Sequence, residues 1–293
     1  MLGSIFAGIA DGFLLFLIAS GLTLIFGVMR ILNFSHGGYF MLGAYFAYQV
    51  VTSAGFSPLP LGFFIVAVLI GSVGVGAVGI ATERLLFRRI YELSDIASLL
   101  GTFGLLLLIE GIAEVIWGIN PMSVPFPTLV DKSVKVVGVR VATYSIVLIG
   151  VGILVGIGLW YLLRRTAFGE RARAVAEDRY MCELVGMNTA AVSTAVFAIG
   201  TMLAGLGGAL ATPLVALTPD VATAFIIEAF AVVIVGGLGS ISGSLIAALV
   251  FGVVDSLAIT YVPSLSGVSF FILMFVVLLV RPQGLVKNAR AFA

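Results

Sequence analysis

Residues 61–81 read Leu61-Gly-Phe-Phe-Ile-Val-Ala-Val-Leu-Ile-Gly-Ser-Val-Gly-Val-Gly-Ala-Val-Gly-Ile-Ala81, with no charged side chain among them. At about 1.5 Å of rise per residue, a helix of this length matches the ~30 Å hydrocarbon core of a bilayer. The stretch reads as a membrane-spanning helix. The chain around it repeats the pattern. On the N-terminal side lie Leu2–Met29, interrupted by Asp11, and the shorter run Tyr39–Val51. The first run lacks a basic residue ahead of it and is too long for a signal-peptide core, so it too reads as a span. On the C-terminal side lie Ile96–Trp117, Val141–Leu163, Ala190–Leu210, Phe225–Val235, Ile241–Tyr261 and Val268–Val280.

The composition agrees. Of 293 residues, 61% are hydrophobic and 10% charged, with a mean hydropathy of +1.24. Soluble domains carry about 25% charged residues, so a water-soluble or disordered chain is excluded. A net charge of +1 gives no electrostatic basis for binding nucleic acid. The expected fold is all-α: one transmembrane bundle over residues 1–293, of about nine spans (eight to ten), some short or broken. The short runs after His36 and before Gly236 have the form of broken or re-entrant helices, which occur where backbone lines a cavity. An alternating valine-rich stretch near Lys132–Arg140 predicts a small hairpin.

Lysine and arginine divide unevenly between the loops. With spans numbered one to nine, one side holds Arg30, Arg84, Arg88, Arg89, Arg164, Arg165, Arg171, Arg173, Arg179, Arg281, Lys287 and Arg290. The other holds only Lys132, Lys135 and Arg140. By the positive-inside rule the first side is cytoplasmic, the N-terminus outside and the C-terminus inside. An odd number of spans keeps this parity.

Small residues recur at four-residue spacing in Gly200, Ala204, Gly208 and Thr212, and in Gly236, Ser240, Ser244, Ala248 and Gly252. Such rows let helix backbones approach closely in lipid. Chemistry is scarce. Cys182 is the only cysteine and His36 the only histidine, which argues against a hydrolase or metalloenzyme and leaves no metal-ligand set. No catalytic residue is assigned and no cofactor is expected. The three lysines, Lys132, Lys135 and Lys287, stand in no phosphate-binding loop, so the Gly236-Gly237-Leu238-Gly239-Ser240 stretch does not read as a nucleotide site.

Three features remain. The segment 164–188 carries good helix formers from Glu170 to Leu184, with Gly186 placed to end a helix. It has charge on one side and Ala174, Met181, Leu184 and Val185 on another. Either a membrane-surface helix or a docking helix for a cytoplasmic partner fits. The polar break Asn33–Gly38 reads either as a turn capped by Ser35 or Asn33, or as unwound backbone lining a path. Asp11, Glu110, Glu114, Glu228 and Asp255 lie within apolar runs, where a carboxylate is costly. They fit either bundle-facing or interfacial positions, or groups for proton or sodium coupling.

The chain resembles the permease family of branched-chain amino acid (high-affinity Leu/Ile/Val) ABC importers. The resemblance rests on Gly21-Leu-Thr-Leu-Ile-Phe-Gly27 leading into Ile31-Leu-Asn-Phe-Ser-His-Gly37. It rests also on Arg164-Arg-Thr with Gly169, Arg171, Arg173-Ala174, Asp178 and Leu184-x-Gly186, and on Gly236-Gly-Leu-Gly-Ser240. It covers nearly the whole chain. Ala174-Val-Ala176 precedes Gly186 by too much to match the general E-A-A-x-x-x-G loop of such importers. The resemblance implies a multi-pass permease of a bacterial or archaeal cytoplasmic membrane. Its partners would be a second, homologous permease in a heterodimer, two cytoplasmic ATPase subunits and an extracytoplasmic binding protein, with branched-chain or related apolar amino acids as substrates. Related permeases of urea or short amides fit the same motifs. It further implies that Glu170, Arg171, Arg173, Ala174, Glu177, Asp178, Leu184 and Gly186 couple to the ATPases. A substrate path would pass Phe26, Asn33, Phe34, Ser35, His36 and Gly37, and Gly236, Gly237, Gly239 and Ser240 would serve packing or a hinge. The alternative is an ion-coupled secondary carrier acting alone; a membrane enzyme is the weakest class.

Overall fold

The computed structural model describes residues 1–90, 94–136, 139–265, 267–282 and 284–286. The expected cytoplasmic C-terminus, with Lys287 and Arg290, lies outside the described residues. The chain runs through α1 (Leu2–Met29), α2 (His36–Ala54) and α3 (Leu61–Thr82), which continues through a π turn (Glu83–Phe87) into the short α4 (Arg88–Ile90). Then come α5 (Asp95–Trp117), the strands β1 (Ser133–Val136) and β2 (Val139–Ala142), α6 (Thr143–Arg165), α7 (Ala167–Glu177) and α8 (Arg179–Leu184). The last four helices are α9 (Thr189–Ala211), α10 (Val221–Gly236), α11 (Ile241–Tyr261) and α12 (Ser269–Val280).

Each apolar run read from the sequence forms a helix over most of its length; Val141 and Ala142, at the start of the fifth run, belong to β2, and α6 begins at Thr143. Among the described residues, six helices are long and apolar enough to cross a membrane: α1, α3 with its π turn, α5, α6, α9 and α11. The 16-residue α10 and 12-residue α12 are shorter apolar helices. The run expected to begin at Tyr39 begins at His36 and reaches 19 residues. The hairpin forms, with Lys135 opposite Arg140.

Helix α1 is the axis of the bundle. In its most apolar stretch 89% of residues are buried, against 22% in α6. It packs on α11, α9, α6 and α10. Lipid tails are as apolar as leucine, so close backbone packing rather than water exclusion must hold these helices together. The glycines permit it. A Cβ at Gly12 would lie 2.8 Å from the Ala248 carbonyl oxygen, and one at Gly8 would lie 2.6 Å from that of Gly252. Gly21 meets Gly200 and Gly43 meets Gly205 in the same backbone-to-backbone way. Hydroxyls tie the seams: Thr23 and Ser244 lie 2.7 Å apart, and Ser256 donates to the Ser4 carbonyl at 2.8 Å. Both small-residue rows are therefore packing seams, with one correction. Gly236 closes α10 and Ser240 caps α11, so the second row does not lie along one helix.

Candidate coupling surface and candidate path

The segment expected to form one helix from Glu170 to Leu184 forms two. Thr166 is extended and turns the chain out of α6: its hydroxyl donates to the Leu162 carbonyl and accepts the Gly169 N–H at 3.2 Å. Gly169 fits here because a Cβ would meet the carbonyls of Leu162 and Leu163. Asp178, at φ −150° and ψ 97°, then breaks the helix and starts the next by accepting the Met181 N–H at 2.9 Å. An aspartate at this position competes for the backbone and is a strong N-cap, so the cap itself divides α7 from α8.

The two pieces face different ways. α7 buries Gly169, Ala172, Val175 and Ala176, and its apolar face joins Leu24 and Val28 of α1, Leu163 of α6 and Val192 and Val196 of α9. Only Cys182 of α8 joins that cluster. Tyr180, Met181, Leu184 and Val185 are 66%, 56%, 63% and 78% exposed. α8 is nevertheless fixed. Thr189 donates to Glu183 at 2.6 Å and Arg179 to the same carboxylate at 3.2 Å, which pins α8 to the start of α9. Hydrogen bonds from Thr189, then from Arg179, hold the Glu183 carboxyl below its ordinary value. Gly186, at φ +82°, makes the turn that a side chain would strain.

Of the residues expected to couple, Glu170, Arg171, Glu177, Asp178, Leu184 and Gly186 are exposed, whereas Arg173 and Ala174 are half-buried. One guanidinium nitrogen of Arg173 is buried without a hydrogen-bond partner among the described residues. The sequence pattern does not single out Tyr180. Its signal was Asp178, whose capping preference resets the helical face that follows.

The break between α1 and α2 is packed on all sides. Arg30 ends α1 in the left-handed region at φ 58°. Asn33, Ser35 and His36 are fully buried, and Phe26 and Phe34 are partly so. The expected side-chain cap does not form. Ser35 instead donates to the Asn33 carboxamide oxygen at 2.5 Å, and no side chain caps α2. His36 Nε2 lies 3.0 Å from the Ile18 carbonyl of α1. The Phe34 N–H donates to Thr102 of α5 at 3.2 Å, and its ring packs against Phe230 of α10 at 4.6 Å. Gly37 lies against the Ala222 carbonyl, where a Cβ would clash. Among the described residues, Asn33 Nδ2 and His36 Nδ1 are buried without hydrogen-bond partners.

The later break is a tight turn. Gly237 and Gly239 take φ of 105° and 85°, and Ser240 accepts the Gly243 N–H at 3.1 Å. Gly236 packs on the Gly243 backbone, and the Leu285 N–H donates to the Val235 carbonyl at 2.7 Å. Glu83 on the π turn is fully buried; it accepts the Thr194 hydroxyl of α9 at 2.6 Å and faces Arg88 at 3.6 Å.

The acids within the apolar helices use hydroxyl partners where partners are seen. Asp255 accepts from Ser269 at 2.6 Å and Glu110 from Thr223 at 2.7 Å. Among the described residues, no group of three or more acidic, His or Cys side chains is placed to hold a metal.

The chain is similar to the permease protein LivH of the high-affinity branched-chain amino acid transport system of Escherichia coli K12, at 28% identity over 97% of this chain and 94% of that one. It is similar to BraD, the corresponding permease of Pseudomonas aeruginosa, at 28% identity over 95% and 93%. Among solved structures, PsaBC from Streptococcus pneumoniae in complex with Fab matches with a TM-score of 0.48 at 14% identity, covering 95% of this chain and 89% of that one. The family model described as branched-chain amino acid transport system / permease component matches residues 4–278. The chain therefore belongs to the family of permease components of branched-chain amino acid transport systems.

Proposed function

We propose that this chain is one membrane subunit of an ATP-driven importer of branched-chain or related apolar amino acids, and that α8 is the element it presents to an ATPase. Family membership supports the importer. The observation that carries the assignment of α8 is its exposed apolar face, Tyr180, Met181, Leu184 and Val185, on a short helix pinned at both ends. A solvated linker gains nothing from four exposed large apolar side chains; a docking element does. ATP hydrolysis belongs to the partner, which would close on α8 and move it with α9. A second permease completes the membrane portion, and an extracytoplasmic binding protein delivers substrate.

In this reading all nine apolar helices cross or enter the membrane, with the N-terminus outside. The arginine-rich ends support it. Gly239 approaches Gly27, next to Arg30, so the α10–α11 turn lies at the same end of the bundle as the basic end of α1. The substrate passes the Asn33–Gly38 break in a conformation more open than this one. The buried unpartnered atoms Asn33 Nδ2 and His36 Nδ1 support a break that opens, because buried polar groups are nearly always paired.

Co-purification of the tagged chain should bring down two ATPase subunits, and uptake should survive an uncoupler while ATP is held constant. Uptake that collapses with the uncoupler would favour the ion-coupled carrier instead. Asn33→Leu is expected to lower the transport rate with assembly intact; an unchanged rate would place the path elsewhere.

A further inference from the structure

We propose that the groove between the C-terminal end of α3, where Arg84 and Arg88 stand, and the N-terminal end of α9 is a binding site for the headgroup and upper acyl chain of an anionic phospholipid. The groove has a volume of about 650 Å³. Its polarity changes along its length. Arg84 and Arg88 stand at one end with Asn188, while Ile80 lies one turn deeper on α3 and Ala195 and Ala198 lie deeper on α9. These two helices run in opposite directions, so the basic residues of one meet the N-terminal end of the other. A phospholipid presents the same order, phosphate at the surface and hydrocarbon below.

The charge is available. Arg84 is exposed and makes no ion pair among the described residues, whereas Arg88 is shared with the buried Glu83. The site therefore offers more than one positive charge's worth of donors and one buried negative charge, an excess that a phosphate monoanion neutralises. A basic pocket between membrane helices at the cytoplasmic surface is a general means of holding acidic headgroups. The shared chemistry is a phosphate oxyanion, and free phosphate would also meet it. The apolar deeper half favours the lipid, because a free ion leaves Ile80 and the alanines uncovered. A second groove, about 480 Å³, lies across the first turns of α9 beneath Val185 and Gly186 and belongs to the coupling surface.

The inference rests on the reading that these helix ends face the cytoplasm. Its test is native mass spectrometry of the full chain in detergent, titrated with phosphatidylglycerol or with phosphatidylcholine of the same acyl chains. Phosphatidylglycerol is expected to bind in preference. Arg84→Gln should weaken it about fivefold, the factor for about 1 kcal/mol per basic residue at a membrane surface. Arg89→Gln, outside the groove, should leave it unchanged. Ala198→Phe, which fills the deeper part of this groove and lies outside the second one, should also weaken it. Equal binding of the two lipids, an unaltered Arg84→Gln variant, or an equal loss in Arg89→Gln would each overturn the site. Competition by inorganic phosphate that displaces the lipid completely at millimolar concentration would overturn the lipid and leave a free-anion site. ATPase capture is measured on the same preparations, so loss of lipid selectivity with capture retained overturns this inference and not the importer assignment.

Discussion

Along α7 the apolar side chains point inward, Ala172 and Val175 against Leu24, Val28 and Leu163. Along α8, which starts directly after the Asp178 that ends α7, they point outward and leave Tyr180, Met181 and Leu184 more than half exposed. Both are short helices between α6 and α9. The difference teaches what transmission of movement needs. One helix is built into three spans and cannot move without them; the next is held at its ends and keeps its apolar surface for something else. If α8 receives the ATPase as proposed, the buried helix makes it a rigid lever rather than a tether.

The largest effect is expected from turning the buried helix against its site. Ala172 is fully buried, and Ala172→Arg would place an unpaired charge there at a cost of several kcal/mol. The folded chain should be lost from the membrane fraction. A variant recovered at wild-type yield and thermal stability would show that α7 is not packed as described. The complementary change on α8 should separate binding from folding. Leu184→Asp lies on an exposed surface, so stability should change by no more than about 0.5 kcal/mol. Loss of a central apolar anchor costs about 2 kcal/mol or more in an interface, about 30-fold in affinity. ATPase capture by the purified variant measures it; undiminished capture would remove α8 from the interface.

A smaller effect attaches to the boundary. Asp178→Ala removes the cap at the α8 N-terminus and should cost about 1 kcal/mol, with transport falling more than ATPase capture as the lever loosens. Proteolysis around residues 177–181 would report it. Cleavage no faster than in the wild-type chain would mean that the packed flanks alone hold the corner.

What the sequence made legible follows from which forces leave a mark in one dimension. Long apolar runs announce α1, α3, α5, α6, α9 and α11, because a bilayer demands ~20 apolar residues whatever packs beside them. Four-residue rows of glycine and alanine announce the seams, because close approach needs the absence of a side chain. The division of 170–184 at Asp178 was less legible: the flanking residues are good helix formers, and the one signal is a single aspartate whose side chain accepts the Met181 N–H at 2.9 Å. The Asn33–Gly38 break was half legible. Its polarity marked it, but burial of Asn33, Ser35 and His36 depends on α5, α9 and α10 converging from 65 to 200 residues away, which no local pattern records. The π turn at Glu83 left no sequence signal, and the partner of its buried carboxylate, Thr194, lies across the bundle on α9.

The smallest expected effect tests how α8 is held. Thr189, with Arg179 second, keeps the Glu183 carboxyl below the ordinary glutamate value of 4.5. A carboxylate with a depressed folded-state pKa stabilises the fold fully above its unfolded value, and that contribution disappears as pH falls through the folded value. The clamp between α8 and α9 should therefore be intact at neutral pH and weaken only below about pH 4.5. Because Glu183 is solvent-exposed and its partners are shared with water, the change should be local and leave the spans unaffected. Amide hydrogen exchange over residues 179–192 reads it, expressed as the ratio of Glu183→Gln to wild type at each pH so that intrinsic rates cancel. The ratio should exceed one at pH 7, where only the wild type has the charged clamp, and approach one as the pH falls below that range. A ratio of one throughout would mean that α8 is positioned by Cys182 and the Asp178 cap, with the carboxylate a bystander.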